Sequence, residues 1–225
     1  FTFEILKKIN FQKLTLPSLK HITQAGGKLK KELSIEFEKI LNKKGIKFFR
    51  MYGSTEATSR MAYMPASLNK KYPESIGFAI PGGKLWLQDK KGKKITSTNT
   101  VGEIVYKGSN VCLGYANSKK DLKKGDENKG ILLTGDLGII DHNKLIFIIG
   151  RKKRFLKVFG LRVNLDELET ILNKLGYNCL CSGVDNKLQI YFLKKIKKNS
   201  SDVIEKISNI TKINKSVFEI RSIDK

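Results

Sequence analysis

Apolar side chains recur at helical spacing through Leu29, Leu33, Phe37, Ile40 and Leu41, a stripe that a helix turns to one side, and Gly45 stops it. The run Ile46-Lys47-Phe48-Phe49-Arg50 that follows reads as a short buried strand. From Pro73 the texture changes to short alternating stretches broken by glycine: Lys84 to Gln88, Glu103 to Lys107, Ile131 to Thr134 and Leu145 to Ile149. The turn Asp89-Lys90-Lys91-Gly92 joins the first two of these in this reading. Beyond Gly150 helical spacing returns. Asn164 is placed to cap a helix with Glu167 three residues on, and Leu165, Leu168, Leu172 and Leu175 form its apolar stripe. A strand from Leu188 to Phe192, a polar loop from Lys194 to Ser201, a helix opened by Asp202 with Glu205, and a strand near Val217 to Ile220 complete the chain. The expected organisation is an α/β segment over residues 1–72, a β-rich subdomain over 73–150, and a small α+β domain over 151–225.

A length of 225 residues with 40% hydrophobic content suffices for one core and a second smaller one. No stretch approaches the roughly 20 apolar residues of a membrane span, so no membrane partner is expected. No targeting leader is legible, which leaves the cytoplasm as the default location. Cys112, Cys179 and Cys181 lack paired spacings, and no second cysteine pair or nearby histidine completes a zinc set around Cys179-x-Cys181. Reduced thiols are the expectation.

The formal charge of +23 raises the question of nucleic acid. Apart from Arg50, Arg60, Arg151, Arg154, Arg162 and Arg221, every basic residue is lysine, scattered in doublets such as Lys30-Lys31, Lys70-Lys71 and Lys119-Lys120. Nucleic-acid readers favour the planar arginine fork and interleave aromatics for stacking. Solvated lysine faces explain the charge better, with a positive field that attracts polyanionic small molecules as a secondary effect.

Three motifs carry the chemistry. Gln24-Ala25-Gly26-Gly27-Lys28-Leu29 comes first, Met51-Tyr52-Gly53-Ser54-Thr55-Glu56 follows at the carboxyl end of a predicted strand, and Thr134-Gly135-Asp136 precedes Gly150-Arg151 and the basic run to Asn164. Each alone is weak: a glycine turn, a Tyr-Gly turn, an aspartate beside a glycine. In this order and spacing they resemble the adenylate-forming superfamily of acyl-CoA and aryl-CoA ligases and peptide-synthetase adenylation domains. The stretches Thr55 to Pro65 and Arg151 to Leu165 look closer to acyl-CoA synthetase-like ligases.

The resemblance implies a fold and a set of roles. The chain would hold the C-terminal part of the large adenylation domain, an α/β segment plus a distorted β-barrel subdomain, followed by a truncated α+β lid. Tyr52 would stack on adenine, Gly53 would let the backbone approach the nucleotide, Thr55 would contact the α-phosphate, and Glu56 would hold Mg²⁺. Gly26 and Gly27 would line the adenine and acyl pockets, Asp136 would clamp the ribose, and Arg151 would support ribose and phosphate. Lys153 would be the hinge, with Lys157, Gly160 and Arg162 on the loop that faces the thiol acceptor. The implied reaction activates a small carboxylic acid with ATP, leaving AMP, and passes the acyl group to CoA or to the phosphopantetheine of a carrier protein.

The superfamily's phosphate loop has no counterpart before Gln24, and its terminal catalytic lysine has none after Ile220. The chain starts at Phe1 rather than Met, so the expectation is a piece of a longer enzyme, inactive by itself. A catalytically idle homologue kept for nucleotide binding or protein contact is the alternative. A basic nucleic-acid domain ranks far below both.

Overall fold

The computed structural model describes residues 2–27, 29–192 and 200–222. The chain divides into two units, Phe1–Ile149 and Gly150–Lys225, and each is described by itself.

The first unit begins with α1 (Thr2–Lys8), β1 (His21–Gln24), α2 (Lys31–Lys43) and β2 (Lys47–Tyr52). Leu33, Phe37 and Leu41 lie one helical turn apart on α2 and are buried against Phe3, Phe11, Ile46 and Phe48. Phe37 is fully enclosed, and truncating such a ring to alanine costs about 3–5 kcal/mol. Gly45, at φ 67°, provides the left-handed residue that ends the helix. Strands β1 and β2 are parallel, so the loops leaving both carboxyl ends emerge on the same side. The far end of β2 is riveted by Arg50, which donates to Asn69 Oδ1 at 2.9 Å and to the carbonyls of Tyr72 (2.6 Å) and Pro73. Burial lowers the Arg50 pKa to about 10.

The chain then adds β3 (Ala62–Met64), β4 (Ser75–Ala79), β5 (Lys84–Gln88), β6 (Lys94–Ile95), β7 (Gly102–Lys107), β8 (Ile131–Ile140) and β9 (Ile146–Arg151). Together these form a sheet of order β1-β2-β3-β4-β9-β8-β7-β5-β6 among the described residues. The turn at Asp89 to Gly92 leads from β5 into the short β6, not into β7; β7 pairs with the opposite edge of β5. Asp89 Oδ1 accepts from the N–H groups of Lys91 and Lys93, an Asx turn that brings the chain back before Gly102.

Strand β8 runs well past Thr134, and the reason is a bulge. Glu103 pairs with Leu137 and Val105 with Leu133, so the single residue Ile104 faces Thr134, Gly135 and Asp136. Gly135 sits at φ 72°, a conformation that disfavours residues with a Cβ. The displaced backbone is satisfied locally: Thr134 Oγ1 donates to the Ile104 carbonyl and accepts from the Asp136 N–H, while the Gly135 N–H donates to Glu103 Oε1. The Thr-Gly-Asp motif is thus a strand distortion rather than a turn.

The second unit holds β10 (Phe155–Val158), β11 (Leu161–Asn164), α3 (Leu165–Lys174), β12 (Cys179–Val184), β13 (Lys187–Phe192), α4 (Ser200–Thr211) and β14 (Phe218–Ser222). The order β12-β13-β14 gives a small mixed sheet covered by helices, with Leu165, Leu168, Leu172, Val203 and Ile207 packed on Leu188 and Ile190. Asn164 caps α3 by accepting from the Asp166 N–H at 3.0 Å. Of the loop read over 194–201, residues 194–199 lie outside the described residues, and Ser200 and Ser201 already belong to α4. Gly150 and Arg151 close β9 rather than opening a free linker. Among the described residues no helix is long and apolar enough to cross a membrane.

Candidate active site

Tyr52 is the last residue of β2 and Asp136 lies on the β8 bulge, yet the Tyr52 hydroxyl donates to Asp136 Oδ2 at 2.7 Å. The bulge brings the carboxylate to the aromatic. Asp136 is only 8% exposed, so its charge sits in a partly desolvated position where a hydrogen bond to it is strong.

After Tyr52 the chain passes through Gly53 and Ser54 into a 3₁₀ turn, Thr55–Ala57. Gly53 is required for space: a Cβ there would run into the Ser59 carbonyl. Thr58 and Ser59, at φ 52° and 64°, fold the loop back, with the Ser54 carbonyl accepting from the N–H groups of Ala57 and Ser59. The loop is then clamped from the far side of the subdomain by the segment after β7. Asn110 Nδ2 donates to the carbonyls of Ala57 (2.6 Å) and Arg60 (2.8 Å), and Thr58 Oγ1 donates to the Asn110 carbonyl at 2.8 Å. Asn110 is itself oriented by the buried Tyr106, whose hydroxyl donates to its Oδ1 at 2.7 Å. Cys112 N–H donates to the Glu56 carbonyl, and the Tyr115 hydroxyl to Glu56 Oε1 at 3.0 Å. That carboxylate holds the Tyr115 phenol above its ordinary range.

Gly26 and Gly27 follow β1, the parallel neighbour of β2, and both are exposed; Gln24 Nε2 closes the loop by donating to the Gly27 carbonyl at 2.6 Å. Lys28 lies outside the described residues. The first unit accordingly gathers Tyr52, Gly53, Thr55, Glu56 and Asp136, with Gly26 and Gly27 on the adjoining strand end.

The remaining candidates are in the second unit. Lys153 is exposed in the 3₁₀ turn Lys152–Arg154. Lys157 and Arg162 face each other across the β10–β11 hairpin, whose two turn residues Phe159 and Gly160 take φ 47° and 84°, the positive pair that two-residue hairpins use. Arg162 lies over the Phe155 ring, 4.1 Å from its centre. Asp185 and Asn186 seat this hairpin through the N–H groups of Lys157 and Phe159.

Sequence reasoning missed Tyr106, inside the predicted strand Glu103 to Lys107, and Asn110 and Tyr115, whose Gly-Ser-Asn and Gly-Tyr surroundings carry no motif. Nothing in the basic run sets Arg154 apart from Lys152 and Lys153. Arg154 is instead half-buried, donating to Asp166 Oδ1 (2.7 Å), Glu169 Oε1 (2.6 Å) and the Cys181 carbonyl (2.7 Å). Burial alone would lower its pKa; the hydrogen bonds it donates to Glu169 and Asp166 outweigh that and raise it. Cys179 and Cys181 are free thiols in the core of this unit, and the hydrogen bond to Cys179 together with burial pushes the Cys181 thiol up.

Among the described residues no group of three or more His, Cys, Asp and Glu could hold a metal ion. A Mg²⁺ bound beside a nucleotide needs fewer protein ligands, one or two carboxylates, and completes its shell with phosphates and water. Glu56 is the one carboxylate on this loop.

The aromatic and the carboxylate are thus joined at the carboxyl end of a parallel strand pair. A family model described as AMP-binding enzyme matches residues 3–116, and the chain belongs to that family. It is 33% identical over 171 residues to luciferin 4-monooxygenase of Luciola mingrelica, covering 76% of this chain and 30% of that protein. It is 29% identical over 174 residues to the D-alanine–D-alanyl carrier protein ligase of Lacticaseibacillus casei, covering 75% of this chain and 34% of that one. The chain thus spans about a third of the length of these curated relatives. Its fold matches O-succinylbenzoate coenzyme A synthetase of Bacillus subtilis, solved with ATP and magnesium, at a TM-score of 0.70 and 19% identity over 99% of this chain and 46% of that one.

Proposed function

We propose that this chain is part of an AMP-forming acid ligase that activates a carboxylic acid with ATP and transfers the acyl group to a thiol, of CoA or of a carrier protein. The observation that carries the reading is the Tyr52–Asp136 hydrogen bond, which joins two motifs 84 positions apart in one place. In the first half-reaction an acid oxygen attacks the α-phosphorus of ATP and pyrophosphate leaves. In the second, the thiol sulfur attacks the acyl carbon and AMP leaves.

Each residue's task follows from its chemistry. Asp136 accepts hydrogen bonds from the ribose hydroxyls, and the Tyr52 hydroxyl fixes the carboxylate for that purpose while the ring offers a flat face to adenine. Thr55 donates its hydroxyl to the α-phosphate, on a loop held still by Asn110, so little ordering remains to be done when the nucleotide arrives. Glu56 holds Mg²⁺, which when bound neutralises charge on the phosphates. Gly26 and Gly27 leave room for adenine and the acyl group. Arg151 supports ribose and phosphate, Lys153 is the pivot about which the second unit reorients between half-reactions, and Lys157, Gly160 and Arg162 serve the thiol step.

Both acceptors stay open because the chain is similar in sequence to a carrier protein ligase and in fold to a coenzyme A synthetase. The test is ATP–pyrophosphate exchange by the full-length protein against a panel of small carboxylic acids. Acid-dependent exchange is expected; exchange with no acid in the panel, alongside tight ATP binding, would favour an idle nucleotide-binding homologue.

A further inference from the structure

Arg154 does more than add charge to a basic turn. Three donors of one guanidinium reach three different parts of the second unit: Asp166 near the start of α3, Glu169 one turn further along, and the backbone carbonyl of Cys181. Strand β12 lies at the edge of its sheet, and at Cys181 both outward backbone groups are covered, the carbonyl by Arg154 and the N–H by Glu169 Oε1 at 2.6 Å. Arg154, Glu169 and Cys181 therefore close a ring of hydrogen bonds that ties the turn Lys152–Arg154 to both a helix and a strand. Its neighbours are different. Lys152 and Lys153 in the same turn are exposed, while Arg154 is 28% exposed at its side chain.

We propose that Arg154 is a positioning residue that pins the last residue of the hinge turn to the body of the second unit and so confines the pivot to the backbone of Lys152 and Lys153. The inference rests on the proposed two-step reaction, in which the second unit changes orientation between half-reactions. A rotation borne by two residues delivers the body in few orientations; a turn loosened at Arg154 spreads the same rotation over more dihedrals and makes the productive pose rarer. A planar guanidinium suits this, because its three nitrogens spread their donors in a fixed fork toward three separate acceptors, whereas an ammonium offers its donors from a single nitrogen.

The test uses the full-length protein with Arg154→Gln and Arg154→Lys. Hydrogen exchange is followed at the amides of 152–156 and of β13, and the two half-reactions are timed separately in single turnovers. Arg154→Gln should speed exchange at 152–156 by about tenfold or more, the size of losing a charge-assisted hydrogen bond, with β13 unchanged. The thioester step should slow by about the same factor while adenylate formation changes less than about threefold, and Arg154→Lys should recover part of both effects. Unchanged exchange at 152–156 overturns the proposal. So does faster exchange throughout the second unit with equal loss of both half-reactions, which would mark Arg154 as a stabilising residue only. If the wild-type protein forms no acyl-adenylate, the functional reading has failed, and the exchange pattern alone still decides whether Arg154 pins the turn.

Discussion

Replacing Asn110 by alanine tests how the loop bearing Thr55 and Glu56 is held. The change removes two N–H donors, to Ala57 and Arg60, and strips the acceptor from the Tyr106 hydroxyl on a side chain that is fully buried. Two neutral hydrogen bonds are worth about 1 kcal/mol each, and a buried hydroxyl left without a partner costs about 1–3 kcal/mol more, so the loss should be about 3–5 kcal/mol. Tyr106→Phe in the Asn110→Ala background removes the orphaned hydroxyl, and the double variant should recover about 1–2 kcal/mol relative to the sum of the singles. Urea unfolding of the full-length protein and the two single variants, with the double variant closing the cycle, measures both quantities. ATP affinity should fall in Asn110→Ala even where the protein is fully folded, because the loop must then be ordered on binding. A loss below about 0.5 kcal/mol, or strict additivity in the cycle, would refute the clamp.

Glu56→Gln keeps the side chain's shape but removes its charge, so adenylate formation should slow and the Mg²⁺ concentration for half-maximal rate should rise; an unaltered Mg²⁺ titration would reduce Glu56 to a loop acid held by Tyr115. Lys153→Pro fixes one backbone dihedral and removes an N–H, so one half-reaction should survive while the other falls steeply; equal loss of both would mean misfolding, and loss of neither would move the pivot elsewhere. Glu219 accepts from Gln189 and Arg221, which hold its pKa down to about 2 from an ordinary 4.5, so its contribution to stability is present above that ordinary value and fades as pH falls toward 2. Glu219→Gln should accordingly lower the thermal midpoint at neutral pH, with the gap from wild type closing in acid; a gap independent of pH would show that the carboxylate's charge is not what matters.

Periodicity sufficed where one face of an element meets one core. The stripe Leu33, Phe37 and Leu41 located α2, and Leu165, Leu168 and Leu172 located α3, because burial on a single side writes a regular spacing into the chain. Short or irregular elements left no such trace. The bulge at Thr134 to Asp136 depends on its register against Glu103 and Val105, a cross-strand property that neither strand displays alone. The misplaced end of the Asp89 turn has the same origin, since β6 has only Lys94 and Ile95 to announce it. Tyr52, Glu56 and Asp136 have a recognisable motif around them, so a role could be proposed for each from the sequence. Asn110 and Arg154 could not: each acts through hydrogen bonds to backbone or side chains far away in sequence, and nothing in an Asn within a glycine loop or an Arg within a basic run states what it will meet.

In the proposed function Tyr52 and Asp136 form one nucleotide clamp. Calorimetric titration of ATP into the full-length protein and into Asp136→Ala tests it most directly. Loss of one or two hydrogen bonds to a charged group should weaken binding by roughly tenfold to a hundredfold. An ATP affinity unchanged by the substitution would contradict the account and remove Asp136 from the site.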